Sequence, residues 1–250
     1  MTTVFTCKDQ FDDMMTCIYV AWSSRLGHAN IRLMTEPYGT RELFCDYRHV
    51  EADPAMTASV VRTVIRRISP CAYRMVYRAA MSCEADKLDA IYRFLILGFA
   101  RGASVTDCLQ FPEVMRLLAL DRRTANEAHY FREFIRFSRH GASLISCIEP
   151  RSNVLTLVAP HFADRLPSEH WLIADMPRQL AVVHPADEAY YLTPLSEADL
   201  HRLRTMPEDD FTSLWRDYFG HTSIRQRTNP RCQRTMLPLW YRKNITEFQA

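Results

Sequence analysis

His129 has acidic neighbours at spacings that could support proton transfer. It lies two residues after Glu127 and four residues before Glu133. On a helix, His129 and Glu133 would share a face, where a carboxylate can orient an imidazole or add a second metal ligand. One such pair is only half of a site. We therefore prefer an ordinary helix-surface or satisfied core pair, and keep catalysis by His129 with Glu127 or Glu133 as the alternative.

A second histidine, His161, is followed closely by Asp164 and Arg165. A histidine, an acid and a base within one turn could form a catalytic corner. They could equally be a polar cluster that holds a loop after an expected strand at 154–158, and we prefer this interpretation. His161 and Asp164 remain the second pair of catalytic candidates.

The C-terminal stretch combines cations with aromatic side chains. Asn229 and Pro230 predict the start of a short helix, which Pro238 ends or kinks. Arg231 and Arg234 would share a face near the helix N-terminus, an arrangement that suits a phosphate. Aromatic residues beside cations are typical of surfaces that stack on unpaired bases. The predicted nucleic-acid-binding residues are Arg225, Arg227, Arg231, Arg234, Trp240, Tyr241, Arg242 and Lys243.

The distribution of charge leaves two interpretations of this stretch open. The net charge is only +2, but residues 222–250 carry six basic residues against one acidic, and residues 60–101 carry eight against three. Residues 164–217 carry eleven acidic residues against five basic. The arginines could therefore face nucleic acid, or they could pair with the acidic segment while Trp240 and Tyr241 lie in the core. Spacing alone does not separate the two.

Self-contained cofactor and metal motifs are not found in the sequence. There is no GxxxxGK[ST], GxGxxG, GxSxG or HExxH, and the eight cysteines form no CxxC or CxxxCxxC. We expect no cofactor, no local metal site, and reduced, mostly buried thiols. The N-terminus lacks the pattern of a signal peptide and no apolar run is long enough to span a membrane, so we expect a cytoplasmic protein.

Hydrophobic periodicity predicts an α+β fold. We expect an N-terminal helix from about residue 11, a β-hairpin of strands 29–34 and 41–50, and a helical block over 54–139. Thr6-Cys7-Lys8-Asp9 has the form of a capping box for the first helix. The block would include a fourth helix capped near Ser104 and a fifth over 122–139. Strands are expected at 142–148, 153–158, 170–174, 179–184 and 189–193, and helices at 196–204 and 207–220.

These elements suggest two parts. Residues 1–140 would hold the N-terminal helix, the hairpin and the helical block, and residues 141–250 a smaller strand-rich half closed by helices and ending in the basic segment. The alternative is one continuous domain.

Several long stretches resemble one bacterial family, the uncharacterised "probable DNA metabolism" proteins that accompany a radical-SAM enzyme of DNA repair or modification. The resemblance is carried by AYRMVYRAAMSCEADKLDAIYRFLILGF (72–99), VTDCLQFPEVMRL (105–117), NEAHYFREFIRF (126–137), APHFADRLPSEHWLIAD (159–175) and NPRCQRTMLPLWYRKNITEF (229–248). In that family a similar region is sometimes fused to a uracil-DNA-glycosylase-like domain. No activity is established for the family that could be carried over residue by residue.

The resemblance implies a role in DNA metabolism, with DNA and a radical-SAM enzyme as partners. Three hypotheses follow. The first is a DNA-binding accessory that uses the arginines of 225–243, together with Arg62, Arg66 and Arg67 if they are contiguous. The second is a nucleic-acid-processing enzyme that uses one of the histidine–carboxylate pairs. The third is a protein–protein adaptor for the partner enzyme, in which arginine and aromatic residues form the contact.

Overall fold

A computed structural model describes residues 2–242 and 245–248. The chain forms two compact units, Met1–Ala125 and Asn126–Ala250. The division lies within a long helix, whereas the predicted division after residue 140 lies beyond that helix. Each unit has its own sheet and its own buried core. The predicted α+β class is confirmed, with a helical centre and a strand-rich C-terminal half closed by helices.

The first unit contains a three-stranded parallel sheet. Its strands are β1 (Thr2–Lys8), β2 (Ile31–Glu36) and β3 (Cys45–His49), in the order β2-β1-β3. Both outer strands run parallel to β1. The predicted hairpin of β2 and β3 is therefore wrong, because β1 lies between them. Residues 37–44 carry the chain across to the other edge of the sheet instead of reversing it.

The missed strand β1 also explains a second error. Thr6 and Cys7 belong to β1, and both are buried. The first helix begins at Phe11 after Gln10, whose side chain forms no capping hydrogen bond. The predicted capping box is wrong because Thr6 pairs in a sheet. The residues that imitate a cap lie three apart in the sequence, whereas the strands that pair with β1 lie far along the chain.

Helices cover this sheet and complete the first unit. They are α1 (Phe11–Ser23), α2 (Pro54–Arg67), α3 (Pro70–Ala80), α4 (Lys87–Arg101) and the part of α5 (Pro112–Phe134) that precedes the division at Ala125. Asp53 and Ser69 cap α2 and α3 through their side chains, as their positions before prolines predict. Residues Gly102–Asp107 form a 3₁₀ turn rather than a fourth α-helix, and α5 begins ten residues earlier than the predicted 122.

The second unit contains a five-stranded mixed sheet. Its strands are β4 (Ser138–His140), β5 (Ser143–Ile148), β6 (His170–Asp175), β7 (Leu180–His184) and β8 (Tyr191–Pro194), in sequential order. Only β5 and β6 are parallel. A parallel connection requires a crossover, and helix α6 (Leu155–Arg165) supplies it.

The predicted strand at 153–158 is therefore wrong. Leu155, Val158, Ala159 and Phe162 of α6 are buried. The buried residues follow helical spacing. In a short run of apolar residues, helical spacing cannot be distinguished from that of a buried strand. The chain then closes with α7 (Glu197–Thr205), α8 (Asp210–Thr222), α9 (Pro230–Met236) and α10 (Leu239–Arg242). Within the described residues, no helix has the length and apolar character needed to cross a membrane.

Candidate nucleic-acid interface

The short helix α9 presents the arginines of the C-terminal stretch. It begins as predicted, because the Asn229 Oδ1 accepts a hydrogen bond from the backbone N–H of Cys232 at 3.0 Å and Pro230 occupies the first turn. Leu237, just after the helix, is buried and anchors it. Arg231 and Arg234 are exposed. The local sequence thus explains both the start of the helix and the outward position of its cations.

Three arginines of the C-terminal stretch have guanidinium groups that solvent can reach. We call Arg227, Arg231 and Arg234 the arginine segment. All three are exposed, and none forms an ion pair with a carboxylate in the described part of the chain. Unpaired guanidinium groups can meet phosphate without first breaking an internal contact.

Three other arginines of the same unit pair with carboxylates. Arg136 pairs with Glu247 at 2.7 Å. Arg178 pairs with Asp175 at 3.0 Å, and Arg216 with Glu208 at 2.7 Å. Asp175 and Glu208, two of the eleven acidic residues of 164–217, therefore pair with arginines outside the arginine segment.

Trp240 is the more accessible aromatic residue of the C-terminal stretch. Its side chain is 40% exposed, and the Arg151 guanidinium lies 4.6 Å from its ring centroid. This cation–π contact holds the indole at the surface.

Tyr241 and Arg242 make internal contacts in unit 2. The Tyr241 ring stacks on Tyr130 at 4.7 Å and meets Phe131 edge-on at 5.3 Å. Burial raises the pKa of Tyr241 to about 12. The Arg242 Nε donates to the Leu237 carbonyl at 3.1 Å, and its guanidinium lies 4.7 Å from the Phe248 ring centroid. These contacts hold the stretch against unit 2.

Two predicted binding residues lie wholly or partly outside the described residues. Lys243 is outside them altogether. Arg225 belongs to a described 3₁₀ turn, Arg225–Arg227, but its side chain is not among those described. Their roles stay predictions.

The His129 pair lies on the surface of α5. The His129 Nε2 is 3.1 Å from the Glu133 Oε1, and the side chains are 64% and 47% exposed. Glu127 is instead buried, and its carboxylate accepts the backbone N–H groups of Arg151 at 2.6 Å and Ser152 at 3.0 Å. The structure thus places Glu133, and not Glu127, beside His129.

His161 lies within α6 and not in a loop. Its ring meets Phe162 edge-on at 5.1 Å. Asp164 and Arg165 are exposed, and among the described residues no hydrogen bond or ion pair joins His161 to Asp164. A role for this pair in catalysis stays a prediction.

An open groove of about 1170 Å³ lies between α1 and α2 in the first unit. Its lining includes Tyr19 and Trp22 on α1 and three arginines, Arg62, Arg66 and Arg67, on α2. The arginines were recognised from the sequence as a possible basic surface, whereas the two aromatic residues were not. Two signals could have identified the groove. Tyr19 and Trp22 are three residues apart on one helix, and the helix that faces them has arginines but no acidic residue.

Thiols and metal-ligand residues are dispersed. The eight cysteines are free, but only Cys7 and Cys17 are buried, so the expectation of mostly buried thiols is wrong. Hydrogen bonding with Cys7 and burial raise the pKa of the Cys17 thiol far above its ordinary range. No cluster of three or more His, Cys, Asp or Glu residues suited to a metal occurs within the described ranges.

The fold and the surface together define an α+β protein with two cores and an exposed arginine segment that forms no ion pair among the described residues. A family model described as a domain of unknown function, DUF4130, matches residues 85–247. The chain therefore belongs to the DUF4130 family. No curated protein and no solved structure matches the chain. The arginine segment lies within the matched region, whereas Tyr19, Trp22 and the α2 arginines precede it.

Proposed function

We propose that this protein is a DNA-binding accessory that holds DNA through the arginine segment. The observation that carries the proposal is the exposure of Arg227, Arg231 and Arg234 without carboxylate partners among the described residues. Phosphate contacts of this kind release counterions from DNA, so the affinity should fall steeply as salt rises. Base recognition is not required for such a role, because phosphate contacts position DNA without reading its sequence.

The biological setting of this role is DNA repair or DNA modification in the cytoplasm, beside a radical-SAM enzyme. The resemblance carried by 72–99, 159–175 and 229–248 supports this setting, and the match to an uncharacterised family is compatible with it. In this proposal the radical-SAM enzyme performs the cluster chemistry and the present chain presents the DNA.

The proposal is tested by comparing two triple variants in a binding assay. In the first, Arg227, Arg231 and Arg234 are changed to Ala. In the control, Arg165, Arg202 and Arg204 are changed to Ala, which removes the same charge from three arginines of the same unit outside the arginine segment. Fluorescence anisotropy with a labelled duplex at low salt should show binding by the wild type and control, and little by the first variant. Equal binding by both variants would refute the assignment.

A protein–protein adaptor is a second candidate function, favoured by the surface of α8. Phe211, Leu214 and Tyr218 are 65%, 61% and 60% exposed, and with Trp215 they line a shallow groove of about 440 Å³. Exposed apolar clusters of this kind are typical of protein interfaces. The change Leu214→Asp should abolish co-purification with the radical-SAM partner while leaving DNA binding intact. Retained co-purification would remove α8 from the interface.

The enzyme hypothesis rests on His129 with Glu133. It is tested by incubating the protein with uracil-containing and undamaged DNA and analysing the products. A base or strand product that His129→Ala abolishes would support it.

A further inference from the structure

The groove between α1 and α2 is a rigidly built feature of unit 1. The Thr16 Oγ1 accepts the Asp53 backbone N–H at 3.0 Å and lies 3.2 Å from the Thr57 Oγ1. The Thr57 Oγ1 in turn donates to the Asp12 carbonyl at 3.0 Å. These contacts join the N-terminal halves of the two helices. The relative positions of the groove walls are therefore set before any ligand binds, which lowers the entropy cost of binding.

The α2 wall of the groove is strongly positive. Arg62, Arg66 and Arg67 are exposed, and no carboxylate pairs with them among the described residues. Arg66 and Arg67 lie in the last turn, where cations also offset the helix dipole. Arg62 lies a full turn earlier, so the dipole does not account for it. Neither Asp nor Glu occurs among the described residues that line the groove.

The α1 wall presents two aromatic rings. Tyr19 and Trp22 are 38% and 36% exposed and are three residues apart, so they lie on one face of the helix. The centroid of the Trp22 ring lies 4.6 Å from that of His28 and 5.2 Å from that of Phe99. A ring packed in this way can stack on a base with little further loss of side-chain freedom.

Aromatic faces opposite unpaired guanidinium groups match the chemistry of an unpaired nucleotide. A base stacks on an aromatic ring whatever its identity, and its phosphate binds arginine. In a duplex the base faces are already covered by their neighbours. An acidic peptide would satisfy the arginines but leave the two rings without a stacking partner.

We propose that the α1–α2 groove binds a single-stranded stretch of nucleic acid, with bases on Tyr19 and Trp22 and phosphates on Arg62 and Arg66. This site is separate from the arginine segment, so the groove proposal can be tested independently of the proposed function. It would give the protein a preference for DNA that contains unpaired nucleotides.

The test uses the full chain with a labelled single-stranded oligothymidine and a labelled duplex hairpin. Tyr19→Ala should weaken binding of the single strand about tenfold or more, because the base no longer has a ring to stack on, and leave duplex binding unchanged. Tyr19→Phe keeps the ring and should bind as the wild type. Arg62→Ala/Arg66→Ala should lower the slope of log affinity against log salt for the single strand by about 1.4.

The matched control is Arg74→Ala/Arg122→Ala, which removes two arginines of the same unit outside the groove and should leave that slope unchanged. Hydrogen exchange of the wild type should show protection of residues 18–23 and 59–67 when the oligothymidine is added. The triple change in the arginine segment should weaken duplex binding, which separates failure of that site from failure of this one.

Three results would overturn the groove proposal. The first is no binding of the oligothymidine by the wild type at low salt. The second is wild-type binding by folded Tyr19→Ala and by the double arginine variant. The third is a combination of two observations: a poly-glutamate peptide displaces the oligothymidine from the groove arginines, and Tyr19→Ala does not change the affinity for the oligothymidine. This combination would indicate an acidic protein ligand.

Discussion

The Arg136 guanidinium donates a hydrogen bond to the Glu247 carboxylate at 2.7 Å, and this contact fixes the C-terminal stretch to unit 2. The same carboxylate accepts the Trp215 indole N–H at 3.0 Å, and its side chain is only 5% exposed. Residues from α8, from the segment just after α5 and from the C-terminal turn therefore meet at one acid whose side chain is buried. The stretch that carries the arginine segment is held by this contact at its far end.

Removing the Glu247 carboxylate should destabilise the protein. Glu247→Ala removes the carboxylate to which both Arg136 and Trp215 donate, and hydrogen bonds to a charged group are the stronger kind, so the free energy of unfolding should fall by about 1–3 kcal/mol. Urea denaturation followed by circular dichroism measures the change. The control is Glu188→Ala, an exposed carboxylate of the same unit that should cost less than about 0.5 kcal/mol. Equal effects of the two changes would contradict a structural role for Glu247.

The Glu247 contact should weaken in acid. Burial alone would raise the pKa of Glu247, but hydrogen bonds from Arg136 and Trp215 bring it below its ordinary value of 4.5. A lowered pKa in the folded state stabilises the protein above 4.5, and this stabilisation disappears as the pH falls through the lowered pKa. The stability difference between wild type and Glu247→Gln should therefore shrink from pH 6 to pH 3. A difference that stays constant would show that the carboxylate is not preferentially ionised in the folded protein.

Asp175 should show the opposite pH dependence. Its side chain is fully buried, and burial raises its pKa above 3.8 despite the guanidinium of Arg178. The folded state therefore binds the proton more tightly than the unfolded state does. The resulting stabilisation is complete below 3.8 and disappears as the pH rises through the raised pKa. Between pH 3 and pH 6, the free energy of unfolding of Asp175→Asn should rise relative to that of the wild type. If the free energies of the two proteins change with pH in parallel, this account is contradicted.

His129→Ala should leave stability almost unchanged. The His129–Glu133 pair is exposed on both sides, and exposed pairs contribute between about 0 and 1 kcal/mol. We expect thermal unfolding of the variant within a few degrees of the wild type. A large drop in stability would mean that the pair supports the fold beyond its own ion pair. A large drop in a DNA-processing activity with stability preserved would instead support the enzyme hypothesis.

Local signals predicted much of the fold. Asp53, Ser69 and Asn229 each precede a proline, and each caps a helix through its side chain as expected. Such caps join residues two or three apart, so a sequence reveals them directly. Thr6 shows the limit, because the same spacing occurs in a strand whose partners lie far along the chain, at Met34 and His49.

The candidate sites depended on contacts that the sequence does not show. The arginines of 225–243 could be recognised by type and position, but whether an arginine is paired depends on tertiary contacts, as the pair of Arg136 with the distant Glu247 shows. Tyr241 was assigned to nucleic acid from its neighbours, yet it stacks on Tyr130, which is distant in the sequence. Such packing depends on the volumes and shapes of side chains that are distant in the sequence. The spacing of neighbouring residues does not reveal it.

The salt dependence of duplex binding tests the central claim most directly. For the wild type, log affinity should fall linearly with log salt. Changing Arg227, Arg231 and Arg234 to Ala should reduce that slope by about 0.9 for each phosphate that is no longer neutralised, or nearly 3 in all. The variant that changes Arg165, Arg202 and Arg204 should keep the wild-type slope. Identical slopes for the wild type and the arginine-segment variant would show that these arginines do not bind DNA and would contradict the account.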